Sequence, residues 1–319
     1  MNIARLKNFT EIVKNNFNIS ATAEKLYTSQ PTLSKQMKML EDELGLALFS
    51  RKGKNLIGLT PMGEQVMELA KGVVAQVEQI GQLSSCEQLA TSGALRIATT
   101  HTMARYKLPT AISGFSRHYP EVTLHLHQGA PAQLAQMVQN GDVEMAIATE
   151  SMHLFDELAT VPCYRWGRSV VVPHGHPLID CQPLSMADLA RYPLITYVFG
   201  FTGRSKMDKA FGRHGLSPRI VLTATDTDII KHYVRLGMGV GVIASSAFDE
   251  GDKGSLVALN IDHLIASSTI HICLRRHVHL RDYSYDFIHR FAPHVSRETI
   301  QLTLINQAPA INLSTLPWL

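Results

Sequence analysis

Between Ile19 and Gly45 the chain reads ISATAEKLYTSQPTLSKQMKMLEDELG, and this stretch restricts the fold more than any other. Its spacing predicts two short helices with a tight break between them. Ser20 is placed to cap the first, Ala21 to Leu26, in which Ala21 and Ala23 are small enough for a close helix crossing. Tyr27-Thr28 ends that helix. Ser29 then caps a second helix, whose early Pro31 supplies a suitable φ and lacks an amide that would have no partner there. In it Leu33, Met37, Leu40 and Leu44 recur at i, i+4, i+7 and i+11, a single core-facing stripe.

Off that stripe, the first half of the second helix presents Gln30, Pro31, Thr32, Ser34, Lys35 and Lys38, while the second half carries Glu41, Asp42 and Glu43. Phosphates repel those acids, so only the N-terminal half can lie against DNA. That half enters the major groove in helix-turn-helix docking. An ordinary helical hairpin in a core would show the same two helices, and the flanks separate the readings. Upstream, Leu6, Phe9 and Val13 form a third stripe that can pack under the pair. Downstream, Leu48-Phe49-Ser50-Arg51-Lys52-Gly53-Lys54 leads through Leu56, Leu59 and Thr60 to Pro61, which reads as a basic hairpin wing followed by a helix start.

The ordered pattern A-x-x-L…S-Q-P-T-L-S-x-Q-x-x-x-L-E-x-x-L-G…L-F-x-R…L-T-P-x-G resembles the winged helix-turn-helix of LysR-type transcriptional regulators. Double-stranded promoter DNA is the partner this implies, with RNA polymerase as a further one. Gln30, Thr32, Ser34 and Lys35 are expected at base edges, and Lys38, Arg51, Lys52 and Lys54 against phosphates.

A chain of 319 residues accommodates two or three domains, and 45% hydrophobic content excludes a disordered protein. Residues 1–60 hold nine Lys/Arg against five Asp/Glu, whereas the remainder is nearly balanced, so the basic excess sits where DNA contact needs it. Cys86, Cys163, Cys181 and Cys273 are far apart and form no C-x-x-C, which suits reduced thiols in a cytoplasmic protein. No apolar run approaches the roughly 20 residues that span a bilayer, and a soluble protein without membrane contact is expected.

From Pro61 to about Leu89 the chain reads as one long helix. Val66, Leu69, Val73, Val77 and Ile80 make a narrow seam, weakened locally by Gly72 and Gly81, that suits pairing with another helix. In the LysR family that helix is the dimerising linker, and two dimers commonly form a homotetramer. After Gly93, short apolar strands alternate with helices, which implies parallel sheets with helices on both faces. A break near Pro162–Arg165 suggests two subdomains, and a return strand near Thr269 rejoins the first. The expected organisation is therefore an N-terminal all-α winged helix-turn-helix domain (1–60), a linker helix (61–90), and an α/β periplasmic-binding-protein-like effector domain of two Rossmann-like subdomains (91–295). Subdomain I takes 91–163 and 268–295, and subdomain II takes 164–267. Residues 296–319 are expected to form a loosely ordered or subunit-contacting tail.

Ligands of open α/β sheets sit at the carboxyl ends of strands. At those positions this chain places Thr99-Thr100-His101-Thr102, Thr149-Glu150, Gly200-Phe201-Thr202-Gly203 and Thr225-Asp226-Thr227. Threonine hydroxyls beside backbone amides suit a small anion, although threonine is also a common helix cap. The runs TTHTMARYKLPTAISGFSRHYPEVTLHLHQGAPAQLAQ, AIATE, FGFTGRSKMDKAF and TATDTDIIKHYVRLGMGVGVIAS resemble the CysB-like branch of the family, activators of the cysteine and sulfur-assimilation regulon. That resemblance implies an anionic effector in the cleft between the subdomains, an acetylserine, sulfate or related sulfur metabolite. It implicates Thr100, Thr102, Thr149 and Thr202 as its contacts, with Gln128 and Gly129 shaping the pocket. Met103 stands where the branch usually has glutamine, and a thioether cannot replace an amide donor. The same branch includes regulators of alkanesulfonate and taurine use.

Gly237-Met-Gly239-Val-Gly241 lacks the full dinucleotide fingerprint and follows a helix, so close packing is the better reading. His125 with His127, or His174 with His176, offers two metal ligands without a third nearby. No catalytic constellation, metal site or cofactor is expected, and the chain reads as a regulator rather than an enzyme. A small-molecule binding protein without DNA function is the rival of another class. If Lys54 faces a phosphate, Lys54→Ala lowers affinity for all DNA sequences and reduces the salt slope by about 1 in a gel-shift titration; changes at Thr32 or Ser34 alter sequence preference instead.

Overall fold

Short polar side chains fix where the N-terminal helices begin. In the computed structural model, which describes residues 2–53, 55–83, 92–149, 158–181, 183–201, 203–305 and 311–319, Asn2 accepts from the Ala4 amide and opens α1 (Ile3–Lys14). Asn18 accepts from the Ala21 amide and opens α2 (Ile19–Lys25). The cap expected at Ser20 thus lies two residues earlier, and Ser20 falls within the first turn. Ser29 opens α3 (Gln30–Leu44) by accepting from the Thr32 amide, with Pro31 in the first turn. Tyr27, at φ 50°, turns the chain between α2 and α3, and the left-handed Gly45 ends α3.

β1 (Phe49–Lys52) and β2 (Asn55–Leu59) pair antiparallel as the wing, and α4 (Pro61–Leu83) follows. The expected stripe is the core: Leu33, Met37 and Leu40 are buried with Leu6, Phe9, Ile12, Leu48 and Phe49, and the rings of Phe9 and Phe49 meet edge to face at 5.4 Å. From α4 this core takes Met67 and Ala70, whereas Leu69 of the seam is 73% exposed. Gly63 is required where α4 starts, because a Cβ there would lie 2.0 Å from the Leu48 carbonyl oxygen.

Residues 89–319 form a second compact unit. The chain passes through β3 (Ser92–Thr99), α5 (His101–Tyr106), α6 (Leu108–His118), β4 (Glu121–Gln128), α7 (Pro131–Asn140), β5 (Met145–Ala148) and β6 (Leu158–Trp166). It then enters a second sheet through β7 (Arg168–Pro173), α8 (Met186–Ala190), β8 (Leu194–Tyr197), α9 (Arg204–Arg213), β9 (Ile220–Ala224), α10 (Thr227–Arg235), β10 (Val240–Ala244) and β11 (Leu256–Asn260). β12 (Ser268–Arg275) returns to the first sheet, and α11 (Asp282–Phe291) and α12 (Arg297–Leu304) close on it. The sheet orders are β4-β3-β5-β12-β6 and β11-β7-β10-β8-β9.

Both sheets are mixed rather than parallel. β3 pairs parallel with β4 and β5, and β8 pairs parallel with β9 and β10. β12 runs antiparallel to β5 and β6, and β7 antiparallel to β10 and β11. The antiparallel partners are the strands that carry the chain between the two sheets and so must reverse direction. The break expected near Pro162–Arg165 is instead part of β6. This outer strand tolerates a proline, and its pairing with β12 shifts register at Ile270/His271, opposite Pro162. The helix α5 occupies a stretch that the sequence reads as the loop after a strand, and it is separated from α6 at Lys107, because Pro109 cannot donate back to Arg105.

The tail is ordered where it is described. α12 buries Ile300 and Leu304 in the first core. Residues 317–319 lie against β6: Arg165 N–H donates to the Pro317 carbonyl at 2.8 Å, Leu319 N–H donates to the Arg165 carbonyl at 2.9 Å, and the Arg165 guanidinium covers the Trp318 ring. Leu40→Ala, which hollows the N-terminal core, lowers the stability of that domain by about 2–5 kcal/mol in a denaturant titration.

Candidate functional site

In the N-terminal unit, α3 holds its outer face where the sequence placed it. Gln30, Thr32, Lys35 and Lys38 are exposed and Ser34 is half-buried. The Thr32 hydroxyl meets the Ser29 hydroxyl at 2.7 Å, so one base-edge candidate also shares in the cap. Ser34, Lys35, Lys38 and Arg51 line a groove between α3 and the wing. Two of the three acids of the second half are held internally, whereas Asp42 is exposed and lines the same groove. Glu41 accepts from the Leu48 and Phe49 amides and pairs with Arg51 at 2.8 Å, and Glu43 pairs with Arg5. Arg51 must therefore exchange Glu41 for a phosphate if it is to neutralise one. Lys52 is exposed, and Lys54 lies outside the described residues. Sequence reasoning read Tyr27 only as a helix end, and it is 99% exposed at the turn.

In the second unit, β3 and β5 are parallel neighbours with Thr99 opposite Ile147, so Thr100 and Thr149 leave adjacent strands at the same sheet edge. Thr99 donates to the Ile147 carbonyl at 2.7 Å and ties the two strand ends together. Thr100 is the N-cap residue of α5, yet its side chain makes no capping hydrogen bond. Thr149 is half-buried. Thr102 is buried, and its hydroxyl meets that of Thr227 at 3.1 Å on the opposite subdomain. Thr227 in turn meets the Tyr197 hydroxyl at 2.6 Å, which accepts from the Ala244 amide. Thr202 lies outside the described residues. Gln128 Oε1 accepts from His101 Nδ1 at 2.9 Å, and Gly129 passes close to Gln133. Met103 packs in the apolar core of the first sheet.

The two crossings between the sheets lie side by side. Arg168 N–H donates to Asp262, its guanidinium donates to the Ala266 carbonyl and to Ser268, and a Cβ on Gly167 would collide with Asp262. α5 meets the N-terminal end of α10. His101 Nε2 lies 3.0 Å from Asp226 and Arg105 lies 3.2 Å from Asp228. Tyr106 donates to Asp228. Lys231, 2% exposed, donates to Tyr106 at 2.8 Å, to the Ala247 carbonyl at 3.1 Å and to Asp252 at 2.7 Å. Burial alone would raise both carboxyls; contacts with Tyr106 and Lys231 hold Asp228, and contacts with Lys231, the Asp249 amide and Arg235 hold Asp252, below the ordinary range. Burial and Asp228 push the Tyr106 hydroxyl well above its ordinary value.

Among the described residues, His101, Asp226 and Asp228 group in a way that could ligate a metal. Arg105 and Lys231 already neutralise Asp228 there, so the group works as an ion-pair bridge. The glycines at 239 and 241 serve packing: a Cβ at either would strike the Pro193 carbonyl or Val171. Burial pushes the Cys163 thiol up to about 12, away from redox reactivity.

Residues 3–64 match the family model "Bacterial regulatory helix-turn-helix protein, lysR family", and residues 89–296 match "LysR substrate binding domain". The chain belongs to the LysR family. Within it, the chain is 44% identical to the HTH-type transcriptional regulator CysB of Haemophilus influenzae over 94% of this chain and 93% of that protein. It is 45% identical to the HTH-type transcriptional regulator SsuR of Burkholderia cenocepacia over 94% and 97%. The crystal structure of the cofactor-binding domain of the Cbl transcriptional regulator superposes with a TM-score of 0.65 and 42% identity, covering 67% of this chain and 94% of that one. This LysR-family chain is accordingly a DNA-binding transcriptional regulator, and none of its described helices is long and apolar enough to cross a membrane.

The depressed Asp228 and Asp252 carboxyls make the α5–α10 contact acid-sensitive. Their contribution is present above about pH 4, the unfolded carboxyl value, and is lost as pH falls through the lower folded values. Hydrogen exchange of α5 measured from pH 6 down to pH 3, corrected for intrinsic rates, should show protection failing with acid, and Asp228→Asn should flatten part of that dependence.

Proposed function

We propose that this regulator controls genes of sulfur assimilation and cysteine biosynthesis in response to a small anionic sulfur metabolite, such as an acetylserine or sulfate, held in the cleft between its two subdomains. The observation that carries the effector reading is Thr100. It stands at the N-terminus of α5 with a side chain that forms no capping bond, next to a strand end that presents Thr149. A hydroxyl in that position, backed by free amides of a helix start, suits an oxyanion. Thr202 is assigned to the same anion from the sequence pattern. Thr102 acts from behind, through Thr227, as much as by direct contact.

On the DNA side, Gln30, Thr32, Ser34 and Lys35 approach base edges while Lys38, Arg51, Lys52 and Lys54 meet phosphates. The linker helix presents Leu69 to solvent, and a second copy of the chain is the surface that would cover it, giving a dimer and, from two dimers, a tetramer. The chain is cytoplasmic, performs no catalysis, and engages RNA polymerase at the promoters it activates. The alternative effector class, an alkanesulfonate or taurine-derived signal, is favoured by one feature: buried Met103 removes an amide donor that the branch usually offers.

Calorimetric titration of the full chain with sulfate, thiosulfate, acetylserine and an alkanesulfonate separates these readings. Thr100→Val should weaken the preferred anion by about 10-fold, the worth of one charge-assisted hydrogen bond. Affinity unchanged in that variant removes Thr100 from the site.

A further inference from the structure

The six-residue helix α5 is too short to hold itself in place, since an isolated single turn is unstable in water and Lys107 separates it from α6. Its position is therefore set by what its side chains touch. Four of them, His101, Thr102, Arg105 and Tyr106, find polar partners on α10 of the opposite subdomain or on its N-cap residue Asp226. The four contacts are unequal. Arg105 is 60% exposed and His101 38% exposed, so solvent screens their ion pairs. The Tyr106 hydroxyl, by contrast, accepts from an ammonium whose side chain is 2% exposed and donates to a carboxylate of the same helix.

Lys231 has three N–H donors, placed on Tyr106, the Ala247 carbonyl and Asp252, and its charge also sits 4.8 Å from the Tyr106 ring centroid. Removing the Tyr106 hydroxyl strips one partner from a buried cation and one from Asp228 at the same time. Subdomain II gains nothing in return, because α5 has no other buried donor or acceptor aimed at Lys231 among the described contacts.

We propose that Tyr106 is a positioning residue of the effector cleft: by joining Asp228 and Lys231 across the subdomain boundary, it fixes α5 and hence Thr100, the N-cap threonine assigned to the anion, with Thr102 behind it. The proposal rests on the anion reading of Thr100 given above. A free cleft in which α5 is undocked binds the anion only in the fraction of molecules that have docked it, so apparent affinity falls by that fraction.

The test compares wild type, Tyr106→Phe and Thr227→Val as full chains. Phenylalanine keeps the ring, and valine keeps the shape of the buried Thr227 while removing its bonds to Thr102 and Tyr197. Backbone hydrogen exchange by mass spectrometry is read over α5 and the first turn of α10, and sulfate and acetylserine affinities are read by calorimetry. Tyr106→Phe is expected to speed exchange in α5 while leaving α1–α3 unchanged, and to weaken the anion by about 3- to 10-fold, the worth of a single hydrogen bond. Saturating anion is expected to restore wild-type protection in α5, which a merely structural lesion does not do. Thr227→Val is expected to behave in the same direction. Wild-type exchange in both variants overturns the proposal, as does an affinity loss that saturating anion leaves without recovered protection. If wild type binds neither anion, the effector reading fails, and the exchange of α5 still decides whether Tyr106 sets this helix.

Discussion

An ammonium group taken out of water dominates the effector unit. Lys231 is nearly inaccessible, and an unpaired cation in that position would cost several kcal/mol. Asp252, Asp228, Tyr106 and the Ala247 carbonyl supply what water would have given it. Three of these lie on the second subdomain, and the fourth reaches over from the first. The price of burying the charge is thereby turned into a constraint on how the subdomains meet. An apolar residue at 231 could pack in the same space, but it would place no demand on Tyr106. A buried ion network specifies geometry in a way that hydrophobic area, which is indifferent to direction, does not.

The opposite logic holds in the N-terminal unit, where the working surface is exposed and its rigidity comes from apolar packing beneath. Leu33, Met37 and Leu40 lock the inner face of α3 against α1, while Ser29 fixes its first turn. Glu41 adds a brace that the charge pattern did not suggest. Its carboxylate holds the Leu48 and Phe49 amides and thus sets the wing relative to the helix. A cluster of acids at the far end of a DNA-facing helix is partly a joint and only partly a repulsive boundary.

Periodicity carried much of the fold. The i, i+4, i+7 stripe of α3 and the four-residue apolar run Met145–Ala148 were legible because each has a single burial solution. β6 was not, because Pro162 argues against a strand unless one knows that the strand is outermost. α5 was hidden because His101-Thr102 reads as a strand-end loop, and α12 because Ile300, Leu302 and Leu304 alternate as in a strand. In the candidate site, Thr100 and Thr149 could be placed from strand ends alone. Tyr106 and Lys231 could not: they are 125 residues apart, and a lysine on an amphipathic helix ordinarily points to solvent. Local patterns do not encode a pairing at that separation.

The last three residues do for β6 what a neighbouring strand would do. Their backbone occupies the Arg165 amide and carbonyl on the outermost strand of the first sheet. Proteolytic loss of that segment would bare the Arg165 amide and carbonyl on an outermost strand, a place where another chain can pair. A preparation clipped there would be expected to precipitate on storage even while its promoter-binding domain stayed intact.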